Sequence, residues 1–546
     1  MGENRGITRR QFIRNAAATA AGWALSSGCD SMPALFNPSR RKITGRIVGA
    51  SHALGHRLLA GEFPPPRRSE KIKVVVVGGG ISALAAAWKL KKSGVDDFTI
   101  LEMENAVGGN ARHGEDAVSD YPWGAHYLPP PDKSQRELCK FLEEAGVLRG
   151  WSAGGEPQFE EKYLCFAPQE RLFYNGRWQE DLWPPLGARA DDLREFQEMK
   201  TLFQKFKKAR GNDGRKAFSI PIDLSSRDPA FLKFDRLSMA DFMDRQGWRS
   251  PLLRWYVEYA CRDDYGASLE NTSAWAGIHY WASRKESFEK SEDVVLTWPE
   301  GNGFLVKAFA ASLQGKIRTN SLVFDVDVGG TGATVHYFDN TIGESVALRA
   351  DAVIMACPQF VAGRLLRSWK KNPPSRLAEF TYSPWVVANL WVEGEPESRG
   401  APLAWDNVMM KSASLGYVVA THQRLGQPPP KSVWTYYLPF PEGDPADRRK
   451  WILERSWDDW KTLVLDDLRR CHPDIEDRVT RLDVMRWGHA MIRPVPGFIW
   501  GKAREESKAA VGPIVFAHSD LSGISIFEEA FHQGIRAAGQ TLAQIR

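Results

Sequence analysis

The chain has 546 residues and a mass of 61.3 kDa, with 43% hydrophobic and 25% charged residues, a mix that excludes whole-chain disorder. Seventy-two basic and 67 acidic side chains give a formal charge of +5 with both signs interspersed, so no nucleic-acid partner is expected. The outlying component is aromatic: 21 Trp, 27 Phe and 13 Tyr, more indole than a core needs and enough to line a large pocket.

In chain order, Thr8-Arg9-Arg10-Gln11-Phe12-Ile13-Arg14 precedes an Ala-rich run from Ala16 to Leu25. That run has the length of a signal core and falls short of the ~20 apolar residues of a membrane span. The paired arginines followed by Phe-Ile resemble a bacterial twin-arginine signal. The resemblance implies that residues 1–29 are read by the twin-arginine export machinery and that the protein folds before reaching the periplasm or cell envelope. Leu25-Ser26-Ser27-Gly28-Cys29 resembles a lipoprotein box with its Leu one place too far from Cys29. A lipid there would tether the chain to the membrane, and firm anchoring would need a second signal. Residues 30–70 read as an arm and linker ending in the stiff joint Pro64-Pro65-Pro66.

The β-branched run Lys71–Val77, bounded by glycine, predicts a buried parallel strand, followed by a helix over Ile81–Lys92 and a strand over Phe98–Glu102. Between the first two lies Gly78-Gly79-Gly80-Ile81-Ser82-Ala83. Gly78 permits a tight turn, Gly80 lets backbone approach a pyrophosphate, and Ala83 lets the helix pack closely. The pyrophosphate then faces a helix N-terminus, and Glu102 stands where it accepts from ribose hydroxyls. Residues 71–150 are therefore expected to open a dinucleotide-binding domain.

The texture changes over 151–297, where Leu193, Phe196, Leu202, Phe203 and Phe206 recur at helical spacing and Ser238 with Asp241 marks a capped start. Trp298–Gly303 reads as a turn opening a helix. Leu322–Val328 with Thr334–Phe338 reads as a β-pair, and Ala352–Met355 as a strand closing at Pro358. Residues 298–370 thus return to the first domain. A second interruption, 371–485, carries strands over Val386–Val392 and Val433–Tyr437, and 486–546 returns again. Cys139, Cys165, Cys261, Cys357 and Cys471 show no metal-like spacing, so no metal site is expected. Their odd number leaves at least one free thiol, with one or two disulfides open.

Five further segments follow in order: Val107–Arg112, Tyr121–Tyr127, Trp298–Leu305, Val353–Pro358, and Val515–Asp520 with Glu528-Glu529-Ala530 and Gly534. Together they resemble the flavin-containing amine oxidase and phytoene-desaturase superfamily. The resemblance implies FAD and an α/β architecture: a discontinuous Rossmann-like FAD domain interleaved with a mixed α/β substrate domain. The cofactor contacts it implies are Gly78, Gly80, Ile81, Ser82, Ala83, Glu102, Met103, Gly108, Gly109, Asn110, Ala111, Arg112, Gly124, Ala125, His126, Val323, Cys357, Trp487, Asp520, Glu529 and Ala530. Ile43–Ala50, with His52, Gly55 and His56, is similar to the leader of exported bacterial flavoproteins resembling spermidine dehydrogenase. Some of those carry haem, which would make His52 or His56 candidate ligands.

The departures from the family also speak. Ala106 and Asn110 replace arginines flanking the Gly doublet, Trp385–Leu390 holds no lysine, and Ile526-Phe527 stands where a tyrosine faces the flavin. Fast reaction with oxygen is then not expected, and the electron acceptor stays unknown. Trp123 is expected beside the flavin ring, with His126 and His489 as acid–base candidates. Asp264 would bind an ammonium group. Trp385, Trp391 and Tyr436, with Trp405 and Trp434 nearby and Phe527 opposite, would form a cage worth ~0.5–2 kcal/mol per cation–π contact. The expected function is an exported FAD-dependent oxidoreductase that oxidises a polyamine-like small molecule by hydride transfer to flavin. The alternatives are a desaturase or isomerase of a lipophilic, isoprenoid-like substrate, and an FAD-bound partner protein without turnover.

Overall fold

A computed structural model describes residues 42–284, 294–424, 426 and 430–545. The export signal, the Cys29 box and the first part of the arm lie outside the described residues. Residues from Lys42 onward form one unit built on two large sheets.

The first sheet has seven strands. Arg68–Val77 lies between Phe98–Leu101 and Glu344–Met355 and runs parallel to both. Val74 to Val77 are buried on both faces, which is why the run is continuously β-branched rather than alternating. The hairpin Ser321–Gly329 and Gly332–Asp339 extends this sheet through antiparallel pairing with Glu344–Met355. Helix Ile81–Lys92 is rich in alanine, so the C-terminal helix Phe527–Gln544 can lie directly on it. Their closest approach is at Gly534, where a Cβ would stand 2.3 Å from the Ser82 carbonyl oxygen.

The second sheet has eight strands, seven contributed mainly by the two interruptions and one by the arm. Tyr382–Glu393 is flanked by Lys431–Pro439 and Val479–Ile492, and the far edge carries Asp406–Met409 beside Glu170–Tyr174. Strand Val479–Ile492 runs unbroken through residue 485, so the substrate domain extends to Ile492 rather than stopping at the expected boundary. Helices Ala190–Lys208, Pro251–Tyr265 and Ala274–Ala282 add a layer whose core includes Phe203, Trp248 and Trp275.

The arm is not a loose linker. Ile47–Gly49 joins the edge of the second sheet, parallel to Val479–Ile492. Gly45 is needed there, because a Cβ would meet the Leu482 carbonyl oxygen at 1.8 Å. Cys139, Cys165, Cys261, Cys357 and Cys471 are all free and buried, so the open question of disulfides is answered against them. Among the described residues no helix is long and apolar enough to cross a membrane, and no three metal-ligating groups cluster.

Candidate active site

The glycine turn is built by mutual backbone contact. Gly78 has φ +102°, and its Cβ would stand 2.6 Å from the Ala356 carbonyl oxygen, so only glycine fits between the two parallel strands. Gly79 N–H donates to Glu102 Oε2 at 2.6 Å and Glu104 N–H to Oε1 at 2.8 Å. Burial pushes the Glu102 carboxyl up to about 7 against these two donors, which favour the anion. Beside Gly80 the space is open, and Gly108 N–H closes the far side by donating to Gly79 O at 2.8 Å.

The loop from Asn110 to Tyr127 is clamped by both domains. Ala125 N–H donates to Asn110 O at 2.9 Å, and the Asn110 amide donates to the Ala490 carbonyl. Gly124 lies so close to Asn110 that a Cβ would meet its carbonyl oxygen at 2.3 Å. From the substrate sheet, Asn389 Nδ2 reaches Pro122 O at 3.0 Å and Tyr437 OH reaches Gly124 O at 2.8 Å. Trp487 Nε1 donates to Trp123 O at 2.7 Å.

This loop forms one wall of a cavity of about 130 Å³, faced by Trp385, Val387, Tyr437, Met491 and Phe527. His126 borders it, with its ring 4.9 Å from that of Tyr437 and 5.4 Å from that of Trp405. Burial lowers the His126 imidazole to about 4 although it donates to the Gly124 backbone, so the ring is neutral above that pH. Asp264 and Arg284 border the cavity as a buried pair, with guanidinium-to-oxygen distances of 2.7 and 2.6 Å. Glu528, in the first turn of the C-terminal helix, also faces it, and burial raises its carboxyl to about 8.

His126, Tyr127, Asp263 and Tyr437 are shared with a second cavity of about 160 Å³. Its walls are Tyr256, Tyr259, Tyr280, Trp281 and Trp405, and three carboxylates enter it: Glu170, Asp263 and Asp406. Asp406 stands directly opposite Glu170 on adjacent parallel strands. Burial and the charges of Asp263 and Glu170 hold the Asp406 carboxyl well above the usual range, although Tyr259 OH donates to it at 3.3 Å.

Residues 81–542 match the profile of the flavin containing amine oxidoreductases. The chain belongs to that family. A segment of 86 residues is 41% identical to tryptophan 2-monooxygenase of Allorhizobium ampelinum, spanning 15% of this chain but only 11% of that protein. Putrescine oxidase bound to putrescine shares the fold at TM-score 0.65 and 18% identity, over 87% of this chain and 100% of that one. Cyclohexylamine oxidase from Brevibacterium oxydans does so at 0.59 and 14%, over 88% and 99%. A CLA-producing fatty acid isomerase from P. acnes does so at 0.61 and 14%, over 86% and 98%. The protein is thus an FAD-dependent oxidoreductase of the amine oxidoreductase family, on a fold that also serves a lipid isomerase.

The residues along the cleft fit FAD. Gln359 is fully buried, yet among the described residues neither its amide oxygen nor its nitrogen has a hydrogen-bond partner, and Ser82 Oγ is likewise buried and unpartnered. Such groups are costly unless a ligand satisfies them. Asp520 Oδ2 accepts from Gln359 N–H at 2.8 Å and Tyr382 OH at 2.7 Å, which fixes the carboxylate beside the unsatisfied Gln359. Ile81, Ser82 and Ala83 form the first helical turn, and Ala111 is buried behind the Gly108-Gly109 doublet. Arg112 pairs with Glu104 at 3.4 Å, and Met103 lies between these acids. Val323 and Cys357 belong to one apolar cluster of the first domain, and burial raises the Cys357 thiol.

Several expected positions are corrected. Glu529 is buried, its Oε1 accepting from Ile222 N–H at 2.6 Å, while its neighbour Glu528 lines the first cavity. Trp123 borders neither cavity; it is buried edge-on to Tyr121, and only its carbonyl serves the wall. His489 is on the opposite side of its strand from the cavity-facing Ala490, stacked on Phe360 at 4.1 Å. Stacked there, it lies away from the cavity and is no acid–base group for it. Tyr436 and Trp434 point into the core beyond the sheet: Tyr436 OH donates to Asp467 at 2.8 Å and Trp434 stacks on Tyr417. Strand alternation gives the cavity face to Tyr437 instead. Trp391 lies behind the wall under the Arg481 guanidinium, 4.1 Å from its ring centroid. Of the candidate ammonium-binding run Asp263-Asp264-Tyr265, Asp264 pairs with Arg284 and Asp263 lines both cavities. Trp385, Phe527 and His126 border the first cavity as expected, and Gly124, Ala125, Asn110 and Trp487 line it with them.

Proposed function

We propose that this protein oxidises a polyamine-like substrate, a chain with more than one ammonium group, by hydride transfer to FAD. The observation that carries the reading is the aromatic cavity holding Glu170, Asp263 and Asp406, joined to the first cavity through His126 and Tyr437. An ammonium group in this box meets acidic side chains from three separate elements. Tyr and Trp faces add cation–π attraction on the same charge. The carbon chain then extends into the first cavity, where Trp385, Val387, Met491 and Phe527 offer an apolar bed.

FAD supplies the hydride acceptor for the carbon bonded to the reacting nitrogen. The residues of this chain bind and orient. The reacting nitrogen must be neutral before a C=N bond can form, and one of its protons is released to solvent. His126 cannot extract that proton from an ammonium group, because an imidazole titrating near 4 is about six units too weak a base for an amine near 10. Neutral His126 instead presents one ring nitrogen as an acceptor, which holds an uncharged amine in place.

The N-terminal sequence supports export by the twin-arginine machinery to the periplasm or envelope, with Cys29 as a candidate lipid anchor. The absent lysine and the Ile526-Phe527 replacement favour an electron acceptor other than oxygen. The test is anaerobic addition of substrates to the FAD-loaded protein. Spermidine and putrescine should bleach the flavin band well below the concentration at which butylamine does. Bleaching by an unsaturated lipid alone, or by no candidate, would reject the polyamine reading in favour of the lipophilic or non-catalytic alternative.

A further inference from the structure

Residues 42–61 precede the span that matches the family, which begins at Ile81, and they pack where the family motifs meet. The arm is anchored on the substrate sheet: Leu482 N–H donates to Thr44 O at 2.8 Å and Val484 N–H to Arg46 O at 2.9 Å. It then crosses to the FAD domain. Ser51 N–H donates to Glu104 Oε1 at 2.8 Å, and Glu104 in turn reaches both Glu102 and Arg112. Helix His52–Ala60 settles with Gly55 beside Met103, where a Cβ would stand 3.9 Å from the sulfur. At its far end Arg57 bonds Asn340 at 3.3 Å and lies over the Phe338 ring.

This nine-residue helix packs Leu58 on the first domain's apolar cluster and leaves its histidine face exposed. A helix that short is marginal alone in water and persists when something packs against it. Its exposed His52 and His56 have ring centroids 5.6 Å apart. His52 feels the charge of Arg486, and His56 acts with Arg449 and Arg364 on His489. His489 stacks on Phe360, next to Gln359, the residue whose buried amide is unsatisfied. The histidine-bearing helix is therefore held against Met103 and Glu104, the two residues that follow Glu102. The convergence of basic groups there is unfavourable by itself and becomes favourable around a diphosphate.

We propose that helix His52–Ala60 is an added wall of the cofactor site, closing over the adenosine and pyrophosphate half of FAD with His52 and His56 as phosphate donors. The wall makes cofactor retention depend on a segment outside the family motifs. The full chain is stripped of flavin and titrated with FAD, and binding is read from flavin fluorescence. In the double variant His52→Ala/His56→Ala the Kd for FAD should rise at least tenfold, while lumiflavin, which lacks the diphosphate and adenosine, binds as in the wild type. Backbone hydrogen exchange of the unmodified protein gives a second readout, with amides 53–60 slowed by FAD and not by lumiflavin. A variant Kd within twofold of the wild type, or exchange over 53–60 that FAD leaves unchanged, overturns the proposal.

Discussion

Asp406→Asn removes one charge from the second cavity and leaves the shape intact. The amide oxygen still accepts from Tyr259 OH, so the hydrogen bond at 3.3 Å is kept. A carboxylate and an ammonium group 4 Å apart attract by about 4 kcal/mol at an effective dielectric of 20, before the cost of drying the ammonium. A charge-assisted hydrogen bond nets about 1.5–3 kcal/mol, which corresponds to a fall of roughly 10- to 150-fold in kcat/KM. The fall should appear with putrescine and spermidine and be small with butylamine, which has no second ammonium to place there. The raised carboxyl adds a pH signature: wild-type KM for putrescine should fall as pH rises, as Asp406 ionises, and this dependence should flatten in the variant. Equal losses for mono- and diamines, or an unchanged KM, would refute the assignment of this cavity to a distal ammonium.

Gly534→Leu forces the C-terminal helix away from helix Ile81–Lys92, since its Cβ alone would meet the Ser82 carbonyl at 2.3 Å. Purified variant should carry substoichiometric FAD by absorbance, and full occupancy would contradict the reading of this contact. Glu528→Gln tests the buried acid of the first cavity. Glu528 stays protonated up to about 8 in the fold but ionises near 4.5 once unfolded, so between these values the folded state holds a proton that the unfolded state has lost. Wild-type stability should therefore fall with rising pH by at most about 1.4 kcal/mol per unit over that window, and the variant should lack that contribution. Parallel stability–pH curves for the two proteins would exclude it.

The cofactor end of the molecule was legible because its demands are local. A strand followed by Gly78-Gly79-Gly80 and a small-residue helix leaves few backbone solutions, and Gly78 and Gly534 are glycines because other chain passes within contact distance. The aromatic wall was legible only in part. Trp385 lines the first cavity. Composition marks a dense aromatic strand without saying whether Tyr436 or Tyr437 faces in. Pairing of Val387 with Tyr437 carries that information, and it is readable once the neighbouring strand is known. His489 fails for the same reason, one residue out of phase with Ala490.

The sequence by itself marked a dinucleotide site, because a strand, the glycine turn and Glu102 lie close together and their backbone is constrained without reference to distant partners. That the dinucleotide is FAD came from the resemblance of five ordered motifs to the flavin-containing amine oxidase family. Only the tertiary structure decided that Glu170 and Asp406, 236 positions apart in the numbering, stand opposite one another with Asp263 beside them, and that the arm helix lies against Met103. Strand register between separate interruptions is set by the packing of whole sheets, and no local pattern encodes it. The many tryptophans noted at the outset are thereby divided: a few face the cavities, and most hold the walls that keep three carboxylates together.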